Sequence, residues 1–155
     1  MPSPTLAALL ACCVLLVPTI ASPFPTRSVE CLDVGTNATA TWTNSEGKKC
    51  TWTGVVGSNF GAKDGKYGKH GDYGCIGRCG IGCNGISVGS VYTQQCFSHD
   101  ICSWFGGVGK DPNDPNCGAS YKAAVDDFLV GAMQGCRHAN PSLPVEAPTV
   151  RPVCI

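Results

Sequence analysis

The stretch Cys96-Phe97-Ser98-His99-Asp100-Ile101-Cys102 decides how the rest of the chain is read. Apolar positions recur around it at helical spacing, which predicts a helix over 91–105 with Ser90 as its cap and Phe97, Ile101 and Trp104 as its inner stripe. His99 then points away from that stripe, with Tyr92 and Ser103 on its face and a cysteine three residues to either side. Were both cysteines bridged, the imidazole would be held rigidly, as a general base requires, because proton transfer works only within hydrogen-bond reach. Asp100, about 100° round the helix, is left to bind a cation. Two further readings stay open: zinc ligation by Cys-x-x-His-x-x-Cys, and a histidine that only fills space between disulfides.

Upstream, residues 54–89 carry a glycine every few positions and end in Tyr73-Gly74-Cys75-Ile76-Gly77-Arg78-Cys79-Gly80-Ile81-Gly82-Cys83. That density excludes a helix and allows tight loops whose carbonyls point inward. Ca²⁺ takes six to eight oxygens and accepts carbonyls readily, so this loop and Asp100 together predict a calcium site. Cys75, Cys79 and Cys83 are disulfide partners or, alternatively, metal ligands. Gly80-x-Gly82-x-x-Gly85 matches a dinucleotide fingerprint in letters only, because strand and helix do not flank it.

Further outward, Thr39, Thr41 and Thr43 alternate with Ala40 and Trp42. A turn at Asn44-Ser45-Glu46-Gly47 then returns the chain through Cys50-Thr51-Trp52-Thr53, so residues 31–56 are predicted to form a β-hairpin, with Cys31 and Cys50 as one way to staple it. A second helix is predicted over about 119–134, where Tyr121, Val125, Phe128 and Ala132 follow an apolar helical spacing and Asp126 and Asp127 lie on the flanks. The tail 141–155 is proline-rich and extended, with Cys154 to tie it back. Trp42, Trp52 and Trp104 read as packing residues, His70 and His138 as surface residues, and Lys63, Lys66, Lys69 and Lys110 as solvated or headgroup-facing lysines.

Leu6 to Ile20 is almost wholly apolar and is followed by Ala21, which predicts a signal peptide over 1–21 and a secreted, extracellular domain over 22–155. Of twelve cysteines, Cys12 and Cys13 leave with that segment, and the even remainder points to disulfides. With 20 glycines and 11 prolines limiting regular structure, such bridges would substitute for a large core. Eleven basic and eleven acidic residues balance, which argues against a nucleic-acid partner. Asn37-Ala38-Thr39 is a glycosylation sequon that export would expose to modification.

Cys79-Gly80-Ile81-Gly82, twenty residues before His99 in Cys-x-x-His-Asp-x-Cys, resembles the secreted phospholipase A2 pattern of a calcium loop ahead of a His-Asp helix. The resemblance covers roughly 73–136. It implies a calcium ion held by Asp100 and the backbone carbonyls of Arg78, Gly80 and Gly82. It also implies His99 as the base that activates water against the sn-2 ester of a glycerophospholipid, and the pairs Cys79–Cys96 and Cys102–Cys117. The family keeps an aspartate on the second helix to orient the histidine. Asp126 is the candidate here, although with Cys102 and Cys117 bridged a rise of about 1.5 Å per residue sets it some 8–9 Å beyond the level of His99, which falls near Ser120 or Tyr121. Arg78 stands where an aromatic residue is usual, and Ser103 where a tyrosine is.

The expectation is therefore a mainly α, disulfide-rich domain: a phospholipase A2-like pair of antiparallel helices with a calcium loop and an N-terminal β-hairpin. It would act as a monomer on a phospholipid or membrane surface. The alternative is a non-catalytic secreted binding protein or effector on the same disulfide scaffold.

Overall fold

The computed structural model of the chain describes residues 28–63, 71–83, 90–107, 109–140 and 148–155. The expected signal peptide over 1–21, Lys66, Lys69, His70, Gly85 and the part of the tail at 141–147 lie outside the described residues.

Threonine and tryptophan alternating with alanine produce β1 (Asn37–Thr43), whose inward positions Ala38 and Ala40 are buried while Asn37, Thr39, Thr41 and Thr43 are exposed. It pairs antiparallel with β2 (Lys49–Val55), Thr39 opposite Thr53 and Trp42 opposite Cys50, and the two threonine hydroxyls meet at 2.8 Å. The Asn44 side chain closes the turn, its Oδ1 accepting the N–H groups of Glu46 at 3.0 Å and Lys48 at 2.9 Å. Trp52 lies flat over Gly54, where a Cβ would sit 2.1 Å from the indole ring. From there the indole reaches Phe60, Phe97 and Phe105 at centroid distances of 6.0, 6.3 and 6.1 Å.

The sheet has a third member. Val153–Cys154 (β3) pairs antiparallel with β2, Cys154 opposite Cys50, and these two cysteines are bonded. Among the described residues, 28% are helical and 21% in strand, so the mainly α expectation is overturned: two helices lie against a three-stranded antiparallel sheet. The tail was read from its prolines, which mark extended chain but cannot reveal a partner strand. The hairpin is also not stapled within itself, because Cys31 bonds Cys136 and Cys50 bonds Cys154.

Helix α1 (Gln94–Gly106) starts three residues later than its periodicity suggests. Val91, Tyr92 and Thr93 are fully buried and extended instead, bridging to Arg137, Arg78 and Cys31 respectively. β-Branched and aromatic residues suit such a segment, and its backbone serves the surroundings: Tyr92 donates to the Cys136 carbonyl at 2.8 Å and its own carbonyl accepts from Leu32 at 3.1 Å. Thr93 rather than Ser90 caps the helix, its hydroxyl accepting the Cys96 N–H at 3.2 Å. Left-handed Gly107 ends it. Along β1, the outer edge of the sheet, α1 supplies the missing hydrogen bonds: Gln94 donates to the Thr39 carbonyl at 2.9 Å and Ser98 Oγ accepts the Thr41 N–H at 3.1 Å.

Helix α2 (Gly118–Gln134) begins where the Asp114 carboxylate accepts the N–H groups of Asn116 at 3.0 Å and Cys117 at 2.6 Å. It runs antiparallel to α1, since Cys102 bonds Cys117 near one end and the Cys96 sulfur lies 3.6 Å from the Ala124 carbonyl further along. Its buried positions are Gly118, Ser120, Ala124, Asp127 and Gly131, not the predicted apolar stripe. Close approach is the reason: a Cβ on Gly131 would lie 2.9 Å from Thr93 and 3.0 Å from Val91, so only a small residue fits there. Tyr121 and Val125, one position round, face elsewhere, while Phe128 and Ala132 are half-buried against the cluster of Cys79, Val91, Cys96, Ala124 and Cys136.

The 50–154 bridge closes a span of 104 residues and clamps β3 beneath Trp52, whose indole N–H donates to the Val150 carbonyl at 3.1 Å. Replacing both cysteines by serine should lower stability by about 2–5 kcal/mol and shift Trp52 emission, as read by thermal denaturation and fluorescence. An unchanged melting temperature would show that β3 contributes nothing.

Candidate functional site

Helix α1 is bonded to both of its neighbours. Cys79–Cys96 ties its first turn to the glycine-rich loop, and Cys102–Cys117 ties its last turns to the start of α2. The thiolates that a zinc reading of Cys96, His99 and Cys102 requires are thus consumed in disulfides, as are those of Cys75 and Cys83, which bond each other. α1 presents His99 and Asp100, between the bridges, and Ser103, just past the second, to an open cleft of about 680 Å³.

His99 Nε2 lies 3.2 Å from the carbonyl of Gly109. A carbonyl can only accept, so Nε2 carries the proton and Nδ1 is the basic nitrogen. Nδ1 stands 3.7 Å from Asp100 Oδ1, and the ring packs on Tyr121 at a centroid distance of 5.2 Å. Tyr121 is therefore level with His99, as the Cys102–Cys117 bridge leads one to expect. Asp126 does not reach the ring: it is exposed on the outer side of α2, one position round from the buried Asp127. The close packing of Ser120, Ala124 and Gly131 sets the rotation of α2 and turns Asp126 outward. A backbone carbonyl takes the place expected for a carboxylate, and no residue type in the sequence marks it.

Asp100 is only 17% exposed, and its Oδ2 accepts the Gly77 N–H at 2.8 Å. Burial pushes its carboxyl above the ordinary value of 3.8, against the opposing pull of His99, the Gly77 amide and Arg78. Ser103 Oγ and Tyr73 Oη share a 2.7 Å hydrogen bond in the same wall. The cleft's other wall is apolar: Tyr121, Val125 and Phe128, three of the four residues of the predicted apolar spacing, line it. Lys63 and Lys110 complete it, the Lys63 ammonium lying 4.7 Å from the centroid of the Trp104 ring.

The structure thus brings His99, Asp100, Arg78 and Gly80 to one cleft. Gly80 is exposed there, while Arg78 and Gly82 are buried behind it. Arg78 Nη1 donates to the carbonyls of Gly82 at 2.6 Å and Ile81 at 3.3 Å. The four groups implied for calcium do not fit the ion as they stand, because a guanidinium already holds the Gly82 carbonyl and an amide holds one Asp100 oxygen.

Residues 27–155 match the model of a family described as a domain of unknown function (DUF8213). The chain belongs to that family. No curated protein and no solved structure matches it.

With a raised Asp100 carboxyl, the native chain holds a proton that the unfolded chain has released between pH 3.8 and the raised value. Stability from this group is present below 3.8 and lost as pH rises through the raised value. Asp100→Asn should remove that loss, so that the variant gains on wild type as pH climbs from acid to neutral. Chemical denaturation across that range measures it, and a variant that loses ground toward neutral pH would refute the assignment.

Proposed function

We propose that the protein is an exported, phospholipase A2-like hydrolase that cleaves the sn-2 carboxylic ester of a glycerophospholipid, with His99 as general base. One observation carries the reading: an imidazole whose tautomer is set by the Gly109 carbonyl sits at an apolar-walled cleft with its basic nitrogen beside Asp100. Export is supported by the five disulfides, which persist outside the reducing cytosol. Asn37, exposed at the start of β1, is the proposed glycan acceptor.

In this reading the acyl chain lies along Tyr121, Val125 and Phe128, and Lys63 and Lys110 face the phosphate. Nδ1 of His99 takes a proton from water as the water oxygen bonds to the ester carbonyl carbon. The tetrahedral intermediate then expels the glycerol oxygen, which leaves with that proton, giving a fatty acid and a lysophospholipid. The Gly109 carbonyl keeps the ring oriented throughout. Being neutral, it stabilises the imidazolium less than a carboxylate would, so turnover is expected to be slow. No step is assigned to calcium.

That same carbonyl, with Asp126 turned outward, favours a second reading: a binding protein that holds amphipathic lipid in the cleft without cleaving it. Fatty-acid release from phosphatidylglycerol vesicles separates the two. Wild type should release fatty acid, and His99→Gln should lower the rate by about 10²–10⁴-fold while vesicle cosedimentation is unchanged. Cosedimentation without hydrolysis selects the binding protein, and neither signal removes both.

A further inference from the structure

We propose that Arg78 is a resident cation of the glycine-rich loop, standing where the resemblance would put Ca²⁺, so that the cleft is assembled and works without the ion. Only the catalytic part of this inference rests on the hydrolase reading.

Gly82 is one of three backbone oxygens implied for the metal, and it accepts a 2.6 Å hydrogen bond from Arg78 Nη1, which also reaches the Ile81 carbonyl at 3.3 Å. Charge-assisted bonds of this kind are stronger than neutral ones. A guanidinium suits the task because its donors form a rigid fork, and it carries a single fixed charge. Arg78 is 2% exposed, so the contact is built into the fold and is not a surface encounter.

The Arg78 backbone pairs with Tyr92 in an isolated bridge, and its neighbours are anchored on both sides: Cys79 is bonded to Cys96 on α1, and the Gly77 amide donates to Asp100. The side chain therefore holds the loop carbonyls, while its own backbone and its neighbours tie the same loop to the element that bears His99 and Asp100. The loop is also closed tightly. Gly82 has φ +49°, and a Cβ there would fall 2.1 Å from the Gly71 carbonyl oxygen, which leaves little freedom for Gly82 to swing its own carbonyl to another partner. A Ca²⁺ ion needs six to eight oxygens. To enter, it would have to displace a buried guanidinium that already uses one of them and would repel it.

An arginine at this position is legible in the sequence, where it departs from the aromatic residue usual in the resembling family. Its role is not legible there, since only the folded loop shows the side chain turning back on its own carbonyls.

Calorimetric titration of the intact, disulfide-bonded protein with CaCl₂ tests the proposal directly. Wild type should give no binding heat into the millimolar range and no Ca²⁺-dependent rise in melting temperature. Saturable binding that disappears in Asp100→Asn would overturn it. Arg78→Leu releases the Gly82 carbonyl and removes the repelling charge, so its melting temperature, or its refolding yield if it folds poorly, should rise with CaCl₂ and not with MgCl₂. Failure of Ca²⁺ to restore this variant would also overturn the proposal, since Arg78 would then only be packing. Fatty-acid release by wild type should be equal in EGTA and in Ca²⁺, and release that needs Ca²⁺ counts against the proposal. Absence of release under both conditions fails the hydrolase reading alone and leaves the resident cation to be decided by the titration.

Discussion

Two disulfides at the ends of one short helix carry the mechanical burden of this fold. α1 has thirteen residues, too few to be stable in isolation, and few of its neighbours are long regular elements. Cys79–Cys96 and Cys102–Cys117 attach it to a loop on one side and a helix on the other. The extended, fully buried Val91-Tyr92-Thr93 leads into it and hydrogen-bonds to segments from both ends of the chain. The side chains between the bridges have nowhere to drift, and His99 is among them.

How closely the two helices approach then determines the cleft. Glycine, alanine and serine on α2 bring it near enough to touch Val91 and Thr93, and that contact sets its rotation. Tyr121 and Val125 are consequently turned onto the cleft wall, and Phe128 lies half-buried between that wall and the core. Asp126 is swung out with them, to the solvent side. One packing choice therefore creates an apolar trough beside His99 and removes the carboxylate that would have oriented it, leaving the Gly109 carbonyl in that role.

Charge inside the site is handled within the chain. The Arg78 guanidinium donates to the loop carbonyls of Ile81 and Gly82, and it draws the Asp100 carboxyl down against the burial that raises it. The sheet lies behind this arrangement, its outer edge covered by Gln94 and Ser98 of α1, so that the strand pairing and the site share one helix.

What the sequence determined by itself is local. The alternation of Thr39, Ala40, Thr41 and Trp42 specified the hairpin, and the spacing of Phe97, Ile101 and Trp104 specified α1, because strand and helix periods follow from backbone geometry. The motif around His99 and the cysteines beside it were equally readable. Tertiary structure decided everything that depends on close approach between distant segments. It paired Cys31 with Cys136 and Cys50 with Cys154, it made a third strand of the tail, and it buried the small face of α2 in place of the greasy one. Periodicity records which residues share a face, but steric fit decides which face is buried, and here Gly131 fitted where Val125 would not.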